Sequence, residues 1–165
     1  METFRLIASG AQDALTVAVW LLAAVALWRG GAPERASALT LFALLVTDDL
    51  YHLVIDPHYP LDRADPWHVF IDSAALVALL VIALRANRFY PMVLAAAQLV
   101  SVTAHLARAT VPQMTSLAYY LLYVMPFYFA VLVLAGGMLR HYLRTRRVGS
   151  YREWRMDARG HVLVP

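Results

Sequence analysis

The chain has 165 residues, of which 61% are hydrophobic and 15% charged. A water-soluble domain carries roughly 45–50% apolar and about 25% charged residues, so burial of one central core away from water is excluded as its main organising force. There is no Cys, which removes disulfides, thiolate metal sites and Cys nucleophiles, and no Lys, so the fixed positive side chains are all arginines, fourteen of them.

The apolar residues gather in five segments of the length that crosses a bilayer core as helix, about 18–24 residues. They cover residues 11–28, 36–55, 67–84, 89–107 and 116–139. Gly30, Gly31 and Pro33 separate the first two, and Pro57, Pro60 and Pro66 fill the second connection. Pro66 stands just ahead of a helix start, where a missing N–H does no harm. Asn87 and Arg88 divide the third from the fourth, Pro112 divides the fourth from the fifth, and Pro126 should kink the fifth. Within the first segment, Ala24-Val25-Ala26 resembles a signal-peptidase site. Gln12, Asp13 and the mixed charges of Glu2 and Arg5 argue instead for a retained span. Residues 140–165 form a basic tail.

Positive residues in short loops mark the cytoplasmic side. The first connection, the third connection and the tail hold eleven of the fourteen arginines; Arg5, Arg63 and Arg108 fall on the other side. The expected fold is therefore an all-α integral membrane protein, a five-transmembrane-helix bundle with its N-terminus outside and its C-terminus cytoplasmic. An Ala-, Arg-, Leu- and Val-rich composition points to a bacterial inner membrane. The sequence pI near 9.4 comes mostly from the tail. That tail reads as a solvated topology signal resting on anionic lipid headgroups, with no nucleic acid expected.

This topology gives the polar residues a common address. Asp48, Asp49, His52 and Asp56 lie in the outer part of the second span, with Asp49 roughly 9 Å inside its end. His68 and Asp72 begin the third span, and His105 lies about one turn from the end of the fourth. The helical spacing puts Asp48, Asp49, His52 and Asp56 on one arc. Gln98, Ser101, His105 and Arg108 form a stripe on the fourth. No acidic side chain is expected on the inner half of any span. His58, Asp62 and Asp65 are expected to be solvated in the Pro-rich connection.

An Asp at the centre of a lipid-facing helix costs about 2.5–3.5 kcal/mol on insertion scales, so these stripes should face inward. Imidazoles and carboxylates suit zinc, iron or manganese, which makes His52, His68, Asp72 and His105 candidate ligands. Asp48 and Asp49, adjacent carboxylates in a low dielectric, are candidates for holding and passing a proton, and Arg108, a catalytic candidate beside them, could neutralise Asp49 or Asp72. Haem between His52 and His105 is disfavoured by the surrounding carboxylates. Neither the Glu-x-x-His nor the His-Glu-x-x-His pattern is present.

Three functional readings follow. One is a small membrane enzyme or binding protein whose outward-facing Asp/His site holds a divalent metal or performs acid–base chemistry on a lipophilic ligand. The second is an accessory subunit packed against other membrane proteins or copies of itself, its polar contacts serving as interhelical glue. The third is a proton-coupled carrier component, which the lack of internal repeats disfavours.

Overall fold

The structure, a computed structural model, describes residues 2–56 and 63–155, and their side chains except at 2–9 and 11. It contains five helices: α1 (Glu2–Arg29), α2 (Ala32–Val54), α3 (Pro66–Arg85), α4 (Tyr90–Thr110) and α5 (Ser116–Val148). Each is long and apolar enough to cross a membrane. Among the described residues there is no strand, and one isolated β-bridge joins Ala86 to Trp154.

The helix starts follow from local chemistry. Asp65 caps α3, its side chain accepting from Trp67 N at 2.8 Å, with Pro66 in the first turn. Thr115 caps α5 by accepting from Ala118 N. α5 continues through Pro126 and stops at Gly149, whose φ of +75° lies in the left-handed region that favours glycine.

Sequential helices pack as neighbours, and α5 closes the bundle against α1 and α2 as well as α4. One fully buried leucine from each of four helices (Leu41, Leu79, Leu94 and Leu134) joins the core. Ala38, Ala83, Ala95 and Ala130 lie beside them and let the backbones approach. At Gly137 the approach is close: a Cβ there would meet the Tyr90 ring at 2.7 Å. Large apolar side chains such as Phe70, Leu84, Phe89, Leu106 and Leu132 face outward. That pattern fits a membrane protein, since soluble monomers rarely expose such continuous apolar surface.

The two ends of the bundle differ. The upper end holds the α2–α3 and α4–α5 connections; the lower end holds the other two connections and the tail.

Two expectations change at the lower end. Helix α2 begins at Ala32, earlier than expected, so Glu34 lies within it and is completely buried. It pairs with Arg88 at 2.7 Å. The expectation of no acidic group in this half therefore fails, because the charge is compensated internally. The tail also differs from a solvated signal: residues 151–155 fold back onto the α3–α4 connection. Asn87 N donates to Glu153 O, Arg155 N donates to Arg85 O, and Trp154 is buried. Glu153 Oε2 accepts from Ala32 N at 3.1 Å, so a tail carboxylate caps α2. Gly31 leaves room for it. A Cβ at that position would come within 2.5 Å of Glu153 Oε1 and 2.8 Å of Glu34 Oε2.

Candidate metal centre and pocket

At the upper end, α2 and α3 bring three ligand atoms together. His68 Nε2 lies 3.1 Å from His52 Nε2 and 3.0 Å from Asp48 Oδ1. One oxygen or nitrogen of each residue falls within 4.8 Å of the other two. Both imidazoles are buried and Asp48 is partly buried. Asp48 and His52 sit one turn apart on α2, and His68 occupies the first turn of α3 where the Asp65 cap holds it.

The outer nitrogens set the protonation of this group. His52 Nδ1 lies 2.7 Å from the carbonyl of Asp56. A carbonyl only accepts, so Nδ1 carries the proton and the neutral ring presents its Nε2 lone pair to His68. His68 Nδ1 faces Asp65 Oδ2 at 3.7 Å, an electrostatic rather than a hydrogen-bonding distance. Asp65 is itself fixed by the Tyr51 hydroxyl, which donates to Oδ2 at 3.0 Å. A single proton on His68 Nε2 can satisfy only one of its two facing acceptors. Asp48 Oδ1 is buried and accepts no hydrogen bond of good geometry among the described residues. Two atoms bound at about 2.0–2.1 Å to one ion lie roughly 2.9 Å apart at a right angle and roughly 3.3 Å apart at the tetrahedral angle. The observed 3.0 and 3.1 Å fall in that interval.

A second group lies on α3, α4 and α5. Asp72 Oδ2 is 2.7 Å from His105 Nε2, and His105 Nδ1 is 2.8 Å from the Tyr119 hydroxyl. Gln98 Nε2 donates to Asp72 Oδ1 at 2.7 Å. All four side chains are buried. With His105 Nε2 donating to the carboxylate and Nδ1 accepting from the phenol, the chain has one direction, from Tyr119 toward Asp72. The Tyr123 ring stands between the two groups, its centroid 5.8 Å from that of His68 and 5.1 Å from that of His105.

Both groups border a cavity of about 310 Å³ that reaches all five helices. Asp48, Asp49, Asp72, Gln98 and Ser101 supply polar lining, Leu44, Ile71 and Phe127 apolar lining, and Tyr120, Tyr123 and Tyr128 rings. Among the described residues no Arg or His lines it, and its three carboxylates make that lining acidic. Asp48 and Asp72 connect the cavity to the imidazoles behind its wall.

The residues expected to form one cluster thus divide. Asp48, His52 and His68 converge. Asp72 and His105 pair with each other and form no part of that convergent group. Asp49 is exposed along the cavity and, among the described residues, has no hydrogen-bonded or ion-paired partner. Arg108 donates to the Met114 carbonyl and lies 5.8 Å from the Tyr119 ring. Asp65, expected to be solvated, is buried and orders both Tyr51 and His68. Its position directly before Pro66, a capping residue followed by a first-turn proline, was the available signal. Tyr119 carried no signal beyond its place in a tyrosine-rich helix start. His58 and Asp62 lie outside the described residues. Comparison of the chain with protein-family models, with curated proteins and with solved structures found no match.

Proposed function

We propose that the chain is an integral membrane protein with its upper end outward and its tail cytoplasmic, and that Asp48, His52 and His68 hold a divalent metal beside a pocket for a lipophilic molecule. The observation that carries the reading is the meeting of the two Nε2 atoms and one carboxylate oxygen, with His52 oriented from behind by a carbonyl. Metal-bound histidines are held in this way, the second nitrogen donating to a carbonyl or carboxylate. Two imidazoles and a carboxylate suit zinc, iron or manganese. Such an ion acts as a Lewis acid toward a polar group brought alongside it. Asp48 belongs to both the ligand group and the cavity wall, so an ion held there would lie beside the pocket.

The chain's own residues supply the rest. The apolar lining and the tyrosine rings hold a hydrocarbon or ring system, and the acidic lining repels carboxylates and phosphates. A neutral or cationic polar end is favoured. Asp72, backed by His105 and Tyr119, is placed to take a proton from that end or return one.

Metal analysis of the full chain, purified in neutral detergent after growth with zinc, iron and manganese, tests the centre. About one equivalent is expected, lost in His52→Ala, His68→Ala and Asp48→Asn. A wild-type protein that retains no metal removes this reading. Orientation is tested separately, because the chain has no native Cys. Gln113→Cys should react with an impermeant maleimide in intact cells, and Ser150→Cys only after permeabilisation. The reverse pattern overturns the topology.

A further inference from the structure

Helix α5 has 33 residues, against 20 in α3. At 1.5 Å per residue it is about 50 Å long, well beyond a hydrocarbon core of about 30 Å. Counted from Ser116, about 20 residues fill that core, so α5 leaves it near Gly136. From that level a groove of about 390 Å³ runs along the helix. Its apolar part is Gly136, Leu139 and Leu143, and its far part carries Arg140, Arg144 and Arg147. Spacings of four and three residues place the three arginines on one stripe.

Among the described residues no acidic side chain lines this groove. All three arginines are exposed, and neither Arg140 nor Arg147 has a hydrogen-bonded or ion-paired partner among the described residues. Arg144 is oriented by the folded-back tail: its guanidinium lies 4.2 Å from the centre of the Tyr151 ring. Arg88 approaches the same ring at 4.6 Å, and the Tyr151 hydroxyl is 2.9 Å from His141 Nδ1. The ring is thus fixed before any ligand arrives. At the other end of the groove, Gly136 is exposed and a Cβ on it would meet nothing within 4 Å, so the helix face is open where the acyl chains begin.

We infer that this groove seats an anionic phospholipid of the cytoplasmic leaflet, its phosphate among Arg140, Arg144 and Arg147 and one acyl chain entering the hydrocarbon core past Leu139 and Gly136. Planar guanidinia match phosphate oxygens in paired hydrogen bonds. Gly136 and Leu139, on the core side of all three arginines, distinguish a lipid from a free anion. The inference rests on the membrane placement of α5 and not on the metal centre.

Full-length protein in neutral detergent is titrated with fluorescent phosphatidylglycerol and, in parallel, fluorescent phosphatidylcholine. Phosphatidylglycerol should bind more tightly, and the combined Arg140→Gln, Arg144→Gln and Arg147→Gln variant should weaken it by about 100-fold. Gly136→Leu, which covers the open face without changing charge, should weaken it by about tenfold. Arg146→Gln with Arg152→Gln, arginines outside the groove, should change it by less than about threefold. Equal binding of the two lipids, or equal losses in the two sets of arginine variants, overturns the seat. So does full binding by Gly136→Leu. Recovery of the chain from cells without detergent would instead overturn the membrane placement, so the two failures are distinct.

Discussion

His52 and His68 face each other through their Nε2 atoms at 3.1 Å, although they come from different helices on either side of the α2–α3 connection. Two like imidazole nitrogens approach this closely when a proton or a cation lies between them. The Asp56 carbonyl behind His52 and the Asp48 carboxylate beside His68 favour the cation, because the lone pairs then have a common target.

Protons compete with a metal for such ligands. Metal content measured after equilibration across a pH series should be full at mildly alkaline pH and fall on acidification, with zinc or cobalt returning when the pH is restored. Cobalt loading adds a direct readout, since its visible spectrum reports imidazole and carboxylate ligation. Occupancy that does not vary from pH 8 to pH 5 would show that these imidazoles are not ligands.

The second group should be separable from the first. Asp72→Asn replaces an acceptor of two hydrogen bonds with an amide, one face of which opposes a donor from Gln98 or His105. A loss of about 1–3 kcal/mol in stability is expected, with metal content unchanged. Denaturation in detergent and metal analysis on one preparation check both halves. Loss of metal together with stability would join Asp72 to the centre.

At the lower end, Glu34 and Arg88 are paired without solvent. Removing one partner of such a pair leaves an uncompensated charge, a cost of about 3–5 kcal/mol in soluble proteins. Arg88→Met should therefore destabilise strongly, whereas Glu34→Met combined with Arg88→Met should recover much of the loss. A double variant as unstable as Arg88→Met alone would mean that the charge left behind is not the cause.

Gly31 connects that pair to the tail. Gly31→Ala puts a methyl group where Glu153 Oε1, Glu34 Oε2 and Arg88 Nη2 now converge, at 2.5, 2.8 and 2.9 Å. The side chain with the fewest other ties is Glu153, so the tail should lift. Trypsin should then cut after Arg152 and Arg155 faster, by about tenfold if lifting costs some 1.4 kcal/mol less. Unchanged cleavage would show that the cap on α2 does not hold the tail.

Five apolar segments, their punctuation and the gathering of acids and imidazoles at one end were all legible in the chain, because helix length, capping and apolar composition are local properties. The azimuth of each helix was not. Asp48 and Asp49 are adjacent and about 100° apart around α2; packing turned Asp48 toward His68 and left Asp49 at the cavity, a choice neither residue's neighbours encode. The same limit separated Asp72 and His105 from the His52 group, since a ring from α5, Tyr123, stands between them. Asp65 looked like a loop acid because Tyr51, which donates to it, is brought there by folding, and Glu34, just outside the expected second span, meets Arg88 in the same way. The bridge from Ala86 to Trp154 spans all of α4 and α5 in sequence. A contact formed across that much chain depends on how whole helices pack, and no local pattern of residues announces it.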